Sequence, residues 1–116
     1  MIPLNDMAIS PLTQIKDYNR RKRINTDYVA STAGGRYVSE RNILRTFKSV
    51  LGVVGAQDYK IHALRHTFAS RLLKAGTEIS VVSKLLGHAD INTTYSTYTH
   101  VLNDQMTDVM SGISKV

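Results

Sequence analysis

The amino-acid sequence predicts a mainly α-helical chain of about five or six helices, with a small β element in its front half. Three observations carry this. Apolar residues recur at three- and four-residue spacing in several stretches, most cleanly at Ile43, Leu44, Phe47, Val50, Leu51 and Val54. Glycines stand just beyond such stretches at positions 55, 76 and 87, where helices characteristically end. The β-type run at residues 28–32 is short and leads straight into Ala33-Gly34-Gly35, a forced turn.

In chain order, Met1-Ile2-Pro3-Leu4 reads as the end of a strand whose partner the sequence does not contain. Residues 6–22 are helical in pattern, with Leu12, Ile15 and Tyr18 on one face. Ser10-Pro11 favours a later start to this helix, Ser10 capping it and Pro11 taking the first position. The run Arg20-Arg21-Lys22-Arg23 closes it. Cations suit the partial negative charge of a helix C-terminus, and a phosphate contact is the competing use of the same run. Ser39 caps the second helix, with Glu40 in its first turn and its 43–54 stripe expected in the core. A third helix is expected from about 62 to 75, burying Leu64, Phe68, Leu72 and Leu73. A fourth covers 79–86, and a fifth begins near Asn92 or Thr93 and carries Tyr95 and Tyr98. The last stretch, 101–110, offers Val101, Leu102, Met106, Val109 and Met110 as an apolar face.

With 116 residues the chain has room for one core. The formal charge is +6 and the isoelectric point about 9.8, which points to a polyanionic partner, nucleic acid before anionic membrane. That charge is unevenly spread. Residues 1–84 carry 14 basic and 6 acidic side chains, whereas 85–116 carry only Lys115 against Asp90, Asp104 and Asp108. The absence of cysteine excludes a disulfide framework, a thiolate zinc site and a thiol nucleophile, and fits a reducing compartment. No apolar run approaches the roughly 20 residues of a membrane span, and Pro3, Asn5 and Asp6 do not begin a secretory signal. A soluble cytoplasmic protein is the expectation.

The residues able to carry chemistry are His62, Arg65, His88 and Tyr98. His62 and Arg65 stand three apart near a helix start and share a face. His88 follows a glycine at a helix end, and Tyr98 comes ten residues later. Together they offer a planar guanidinium for phosphate oxygens, two imidazoles and a phenol. A phenol of ordinary pKa, about 10, is a poor nucleophile near neutrality; a neighbouring base and a cationic phosphate clamp make it competent.

His62-Ala63-Leu64-Arg65-His66-Thr67-Phe68-Ala69-Ser70 resembles the His-x-x-Arg box of the tyrosine recombinases, the phage integrase family. Leu85-Leu86-Gly87-His88, Thr93-Thr94 and Tyr98-Thr99-His100-Val101 resemble its closing box, in the same order and spacing. The resemblance implies the C-terminal part of a recombinase catalytic domain, with residues 1–116 forming one partial domain. Tyr98 would attack a scissile phosphate of double-stranded DNA and form a 3′-phosphotyrosyl link without a cofactor. Arg65 would hold the non-bridging oxygens, His88 would hydrogen-bond the phosphate, and His62 would assist proton transfer. Tyr95 is a rival nucleophile, but the Tyr-Thr-His-Val context favours Tyr98.

The family also uses a second Arg and a hairpin Lys, which precede the strand that Ile2-Pro3-Leu4 resembles. Neither has a counterpart here: Arg36-Tyr37-Val38-Ser39-Glu40 has the wrong spacing and follows that strand instead of preceding it. The chain alone is therefore expected not to recombine DNA. A helical module that binds DNA without cleaving it is the alternative. A zinc site on His62, His66, His88 and His100 is a weaker one, since no Glu follows His62. The acidic, apolar tail at 101–116 suits a protein surface, either a neighbouring copy on DNA or its own domain.

Overall fold

The structure, a computed structural model, describes residues 1–113. They fall into two units, one ending at Asp58 and the other beginning at Tyr59. The fold is mainly helical, with five helices among the described residues.

In the first unit α1 spans Asp6–Arg21. It starts earlier than the Ser10-Pro11 pair led us to expect, because Asn5 supplies a better cap: its side-chain oxygen accepts the Ala8 N–H at 3.0 Å. Pro11 is thus inside the helix and forfeits one bond, to the carbonyl of Met7, whose residue is largely exposed. Arg20 and Arg21 occupy the last turn, as expected of a dipole-matched end. The Arg20–Asp17 ion pair (3.2 Å) lies in solvent and contributes little.

Of the β-type run at 28–32 only an isolated antiparallel bridge forms, Ser31 to Tyr37. Bonds from Thr32 N–H to the Arg36 carbonyl and from Val38 N–H to that of Ala30 flank it. Gly35 turns the chain at φ +78°, and a Cβ there would lie 2.4 Å from the Asn25 carbonyl oxygen, so the position tolerates no side chain.

Ser39 caps α2 (Glu40–Val53), as its sequence indicates. The stripe on this helix is not core, however. No α2 residue is buried, and Val50 is 59% exposed. Helical spacing defines an apolar face but not what covers it, and α1 and α2 do not pack on each other.

In the second unit α3 (His62–Lys74), α4 (Ile79–Leu86) and α5 (Ile91–Ile113) pack against one another in all three pairings. Their core is Ala69 and Leu73 from α3, Val82 and Leu86 from α4, and Tyr98 and Val101 from α5. The inner face of α3 therefore differs from the expected one. Leu64 (60%) and Phe68 (47%) are exposed, and the inward line runs through Ala69 and Leu73, where a methyl group lets the neighbouring helices come close. Leu72 is half-buried beside that core.

The end of α4 is set by Gly87 at φ +71°. The N–H of Gly87 returns to the Lys84 carbonyl and that of His88 to Ser83, the paired bonds of a left-handed helix cap. Helix α5 departs from helical geometry at Tyr98 (φ −114°, ψ 17°). Hydroxyls of Ser96, Thr97 and Thr99 bond back to the carbonyls of Asn92, Thr93 and Tyr95 on either side of that break, a pattern that bends helices. Beyond it, the Gln105 side chain donates to the Leu73 carbonyl, holding this part of the tail on its own unit. Residues 114–116, including Lys115, lie outside the described residues.

These burials predict unequal mutational costs. Leu73→Ala should destabilise the second unit by about 3 kcal/mol through lost transfer energy and a cavity. Phe47→Ala on α2, which leaves no void in a core, should cost under about 1 kcal/mol. Urea unfolding followed by circular dichroism and hydrogen exchange distinguishes the two.

Candidate active site

All four residues singled out in the sequence lie in the second unit, and the packing of α3, α4 and α5 decides which of them meet. Arg65 stands one turn into α3. Its Nη2 donates to the Leu86 carbonyl at 2.5 Å, across 21 residues of sequence. Leu86 is the last residue of α4, where carbonyls have no partner within the helix and carry the negative end of its dipole. The guanidinium thus caps α4 and is held directly beside Gly87-His88.

His88 leaves that cap with its ring turned to α5, its Nδ1 lying 2.6 Å from the hydroxyl of Thr94, a fully buried residue. The bond serves both partners: it satisfies a hydroxyl with no access to water and fixes the ring, leaving Nε2 to face other groups.

Tyr98 is 2% exposed, and no other aromatic side chain lies in the buried core. Its hydroxyl is 2.9 Å from Nδ1 of His66, and the two rings meet edge to face with centroids 5.8 Å apart. The phenol's O–H donates to Nδ1 in the tautomer that leaves this nitrogen without a proton. Burial raises the Tyr98 pKa above its ordinary value, and the positive charge of Arg65 lowers it in part. This electrostatic coupling ties Arg65 to Tyr98 as well as to α4.

His62 begins α3, is exposed, and makes no hydrogen bond among the described residues. Tyr95 is half exposed and lines a surface groove with Lys74, Gly76, Leu102 and Met106. The histidine that touches Tyr98 is His66, which the sequence singled out only as the i+4 mate of His62. The signal that locates it is its register: His66 precedes Ala69 by three and Leu73 by seven, so it extends the inward line of α3. Thr94 escaped notice as a partner for His88 because hydroxyls have no helical periodicity.

Comparison with known proteins adds an independent observation: residues 1–105 match the phage integrase family. The chain belongs to that family. Its relatives include a XerC-like tyrosine recombinase of Caldanaerobacter subterraneus subsp. tengcongensis, 38% identical over 87 residues that cover 75% of this chain and 22% of the relative. The tyrosine recombinase XerD of Rickettsia prowazekii is 38% identical over 109 residues, covering 87% of this chain and 35% of the relative. That of Rickettsia bellii is 36% identical over 114 residues, 91% of this chain and 37% of the relative. The chain thus spans about a third or less of the length of these integrase-family relatives. Among the described residues no group of three or more His, Cys, Asp or Glu side chains could hold a metal ion, and no helix is long and apolar enough to cross a membrane. His66 and His88 are instead engaged with Tyr98 and Thr94.

The raised Tyr98 pKa makes stability depend on alkali. Above the unfolded value of about 10, the unfolded chain has lost a proton that folded Tyr98 retains. Its contribution is therefore complete below that pH and falls as pH rises through the higher folded value. Urea midpoints measured from about pH 8 to about pH 11 should fall less steeply in Tyr98→Phe than in the wild type. Identical slopes would show that the phenol is not held as described.

Proposed function

We propose that this chain is the part of a site-specific DNA recombinase that carries the nucleophile, and that Tyr98 is that nucleophile. The observation that supports this most directly is the coupling of Arg65, His88 and Tyr98 across one three-helix core: a guanidinium fixed beside a ring-locked imidazole and acting electrostatically on the phenol. In the reaction, Tyr98 Oη forms a bond to phosphorus while the bond from phosphorus to the 5′-oxygen breaks, giving a 3′-phosphotyrosyl link and conserving the energy of the phosphodiester. Arg65 bears on the non-bridging oxygens, where negative charge grows in the transition state. His88 donates a hydrogen bond to the same phosphate, and His62 assists proton transfer at the edge of the site.

The basic body of the chain favours double-stranded DNA as the partner. The 5′-oxygen leaves only if it gains a proton, which the family resemblance assigns to a lysine with no counterpart here. Losing a phosphate donor such as the family's other Arg typically costs about 3–4 kcal/mol of transition-state stabilisation. The chain alone is accordingly inactive on unmodified DNA.

A sulfur-bridged substrate separates attack from leaving-group protonation, because a thiolate, with a pKa of about 8.5, departs without an acid. Random duplexes bearing one 5′-bridging phosphorothiolate should give a denaturant-resistant protein–DNA adduct with the wild type and Tyr95→Phe, but none with Tyr98→Phe. An adduct that survives Tyr98→Phe overturns the assignment. Salt-sensitive binding with no adduct from any variant favours the binding-only module.

The tail has its own part in this reading. Gln105 anchors it to α3 in cis, and beyond that anchor Met106 and Val109 are 67% and 62% exposed. This outer stretch is where a second copy on DNA would dock. Light scattering should show a larger assembly on DNA for the whole chain than for one ending at residue 105, with equal mass without DNA. Equal assemblies would remove the tail from this role.

A further inference from the structure

A nucleophile must reach its phosphorus, and Tyr98 as placed is buried from solvent. Its side chain is closed in with Ala69, Leu73, Val82, Leu86 and Val101, and its hydroxyl is taken up by His66 at 2.9 Å. The backbone at Tyr98 is itself the non-helical joint of α5, flanked by three hydroxyls that loosen the helix ladder. The residue at the joint is thus held at the polar end of its side chain by a different helix. The holding side also differs in exposure: Tyr98 is buried, whereas His66 is exposed, so the imidazole sits at the rim where the pocket meets solvent. Arg65, the neighbour of His66 in the chain, brings a phosphate-seeking charge to the same rim.

We propose that His66 is the positioning residue of Tyr98: its imidazole holds the phenol withdrawn on α3, and breaking that hydrogen bond is the step that lets the side chain swing out at the α5 joint to meet a DNA phosphate. The inference rests on Tyr98 being the nucleophile. The physical basis is the cost of a buried hydroxyl with no partner. With His66 as acceptor the withdrawn phenol is satisfied; without it the hydroxyl is better served by water, and the outward position is favoured.

Tyrosine nitration by tetranitromethane, mapped by mass spectrometry on the whole chain without DNA, tests this directly. Tyr95, half exposed and three residues away, is the internal reference. In the wild type Tyr98 should react far more slowly than Tyr95. His66→Leu keeps an apolar side chain of similar bulk and removes the acceptor; it should raise the Tyr98 rate relative to Tyr95 by about fivefold, the scale of one hydrogen bond. His66→Asn, whose amide oxygen stands close to the place of Nδ1, should restore most of the protection.

Unchanged protection in His66→Leu would show that packing alone holds the phenol and would overturn the proposal. Equal loss in His66→Leu and His66→Asn would overturn it too, since side-chain fit and not the bond would then matter. Should His66→Leu fail to fold by circular dichroism, His66→Ala against His66→Asn carries the same comparison. Adduct formation on the sulfur-bridged DNA reports the nucleophile separately, so a wrong nucleophile and a wrong latch give different results.

Discussion

The hydrogen-bonded burial of Tyr98 is the constraint on which the second unit of this molecule depends. The three helices of the second unit share a core of six apolar side chains, of which Tyr98 is one. Three side-chain bonds across these helices are tied to the same packing. Arg65 reaches the end of α4, His66 reaches the phenol, and His88 reaches Thr94, a residue of α5 four before Tyr98. Arg65, His88 and Tyr98 are therefore also cross-links between helices, whereas among the described residues His62 is not. One consequence is that loss of activity on substituting Arg65 or Tyr98 does not by itself identify a chemical role, because the same change loosens the scaffold. Readouts resolved by residue are needed to part the two.

The electrostatics follow from the same geometry. A phenol in this pocket stays protonated over a wider pH range than one in water, since burial disfavours the phenolate more than the Arg65 charge favours it. Reactivity towards phosphorus is thus kept low while the side chain is withdrawn. Moving it outward restores hydration and removes the penalty, while a phosphate at Arg65 supplies the electrophile. On the proposed reading of Tyr98 as nucleophile, access and activation would then be one event.

What the sequence made legible was punctuation. Ser39, Gly76 and Gly87 mark helix ends because caps and left-handed turns are local, set by one residue and its near neighbours. The same locality explains the failure at Pro11, where two caps competed and Asn5 prevailed at the cost of one backbone bond to an exposed residue. Pairings across helices were not legible. Nothing local says that Arg65 will meet the Leu86 carbonyl or that His66, not His62, will meet Tyr98. His62 and His66 stand on nearly the same face, about 40° and about 6 Å of rise apart, so the choice turns on where along α3 the phenol arrives. The inward face itself lies one residue round from the Leu64–Phe68 line and runs through Ala69, whose smallness counts for little on a hydrophobicity scale and for much in close packing.

The two faces of α3 carry a final implication. Its inner line, Ala69 and Leu73, is buried against α4 and α5, while Leu64 and Phe68, four apart on another face, are exposed together. On α2 the stripe through Ile43, Val50 and Val54 is likewise open to solvent. A helix that covers only one side of a core has one apolar stripe; a helix with two is built to be covered twice. Contiguous apolar surface of this kind is uncommon on a monomer left to itself and marks a place of contact. The second face of α3 explains why the spacing of Leu64 and Phe68 pointed to burial: one helix carries two apolar stripes, and only the one through Ala69 and Leu73 is covered among the described residues. The periodicity marked an apolar face that is exposed among the described residues; spacing carries no information about what covers it.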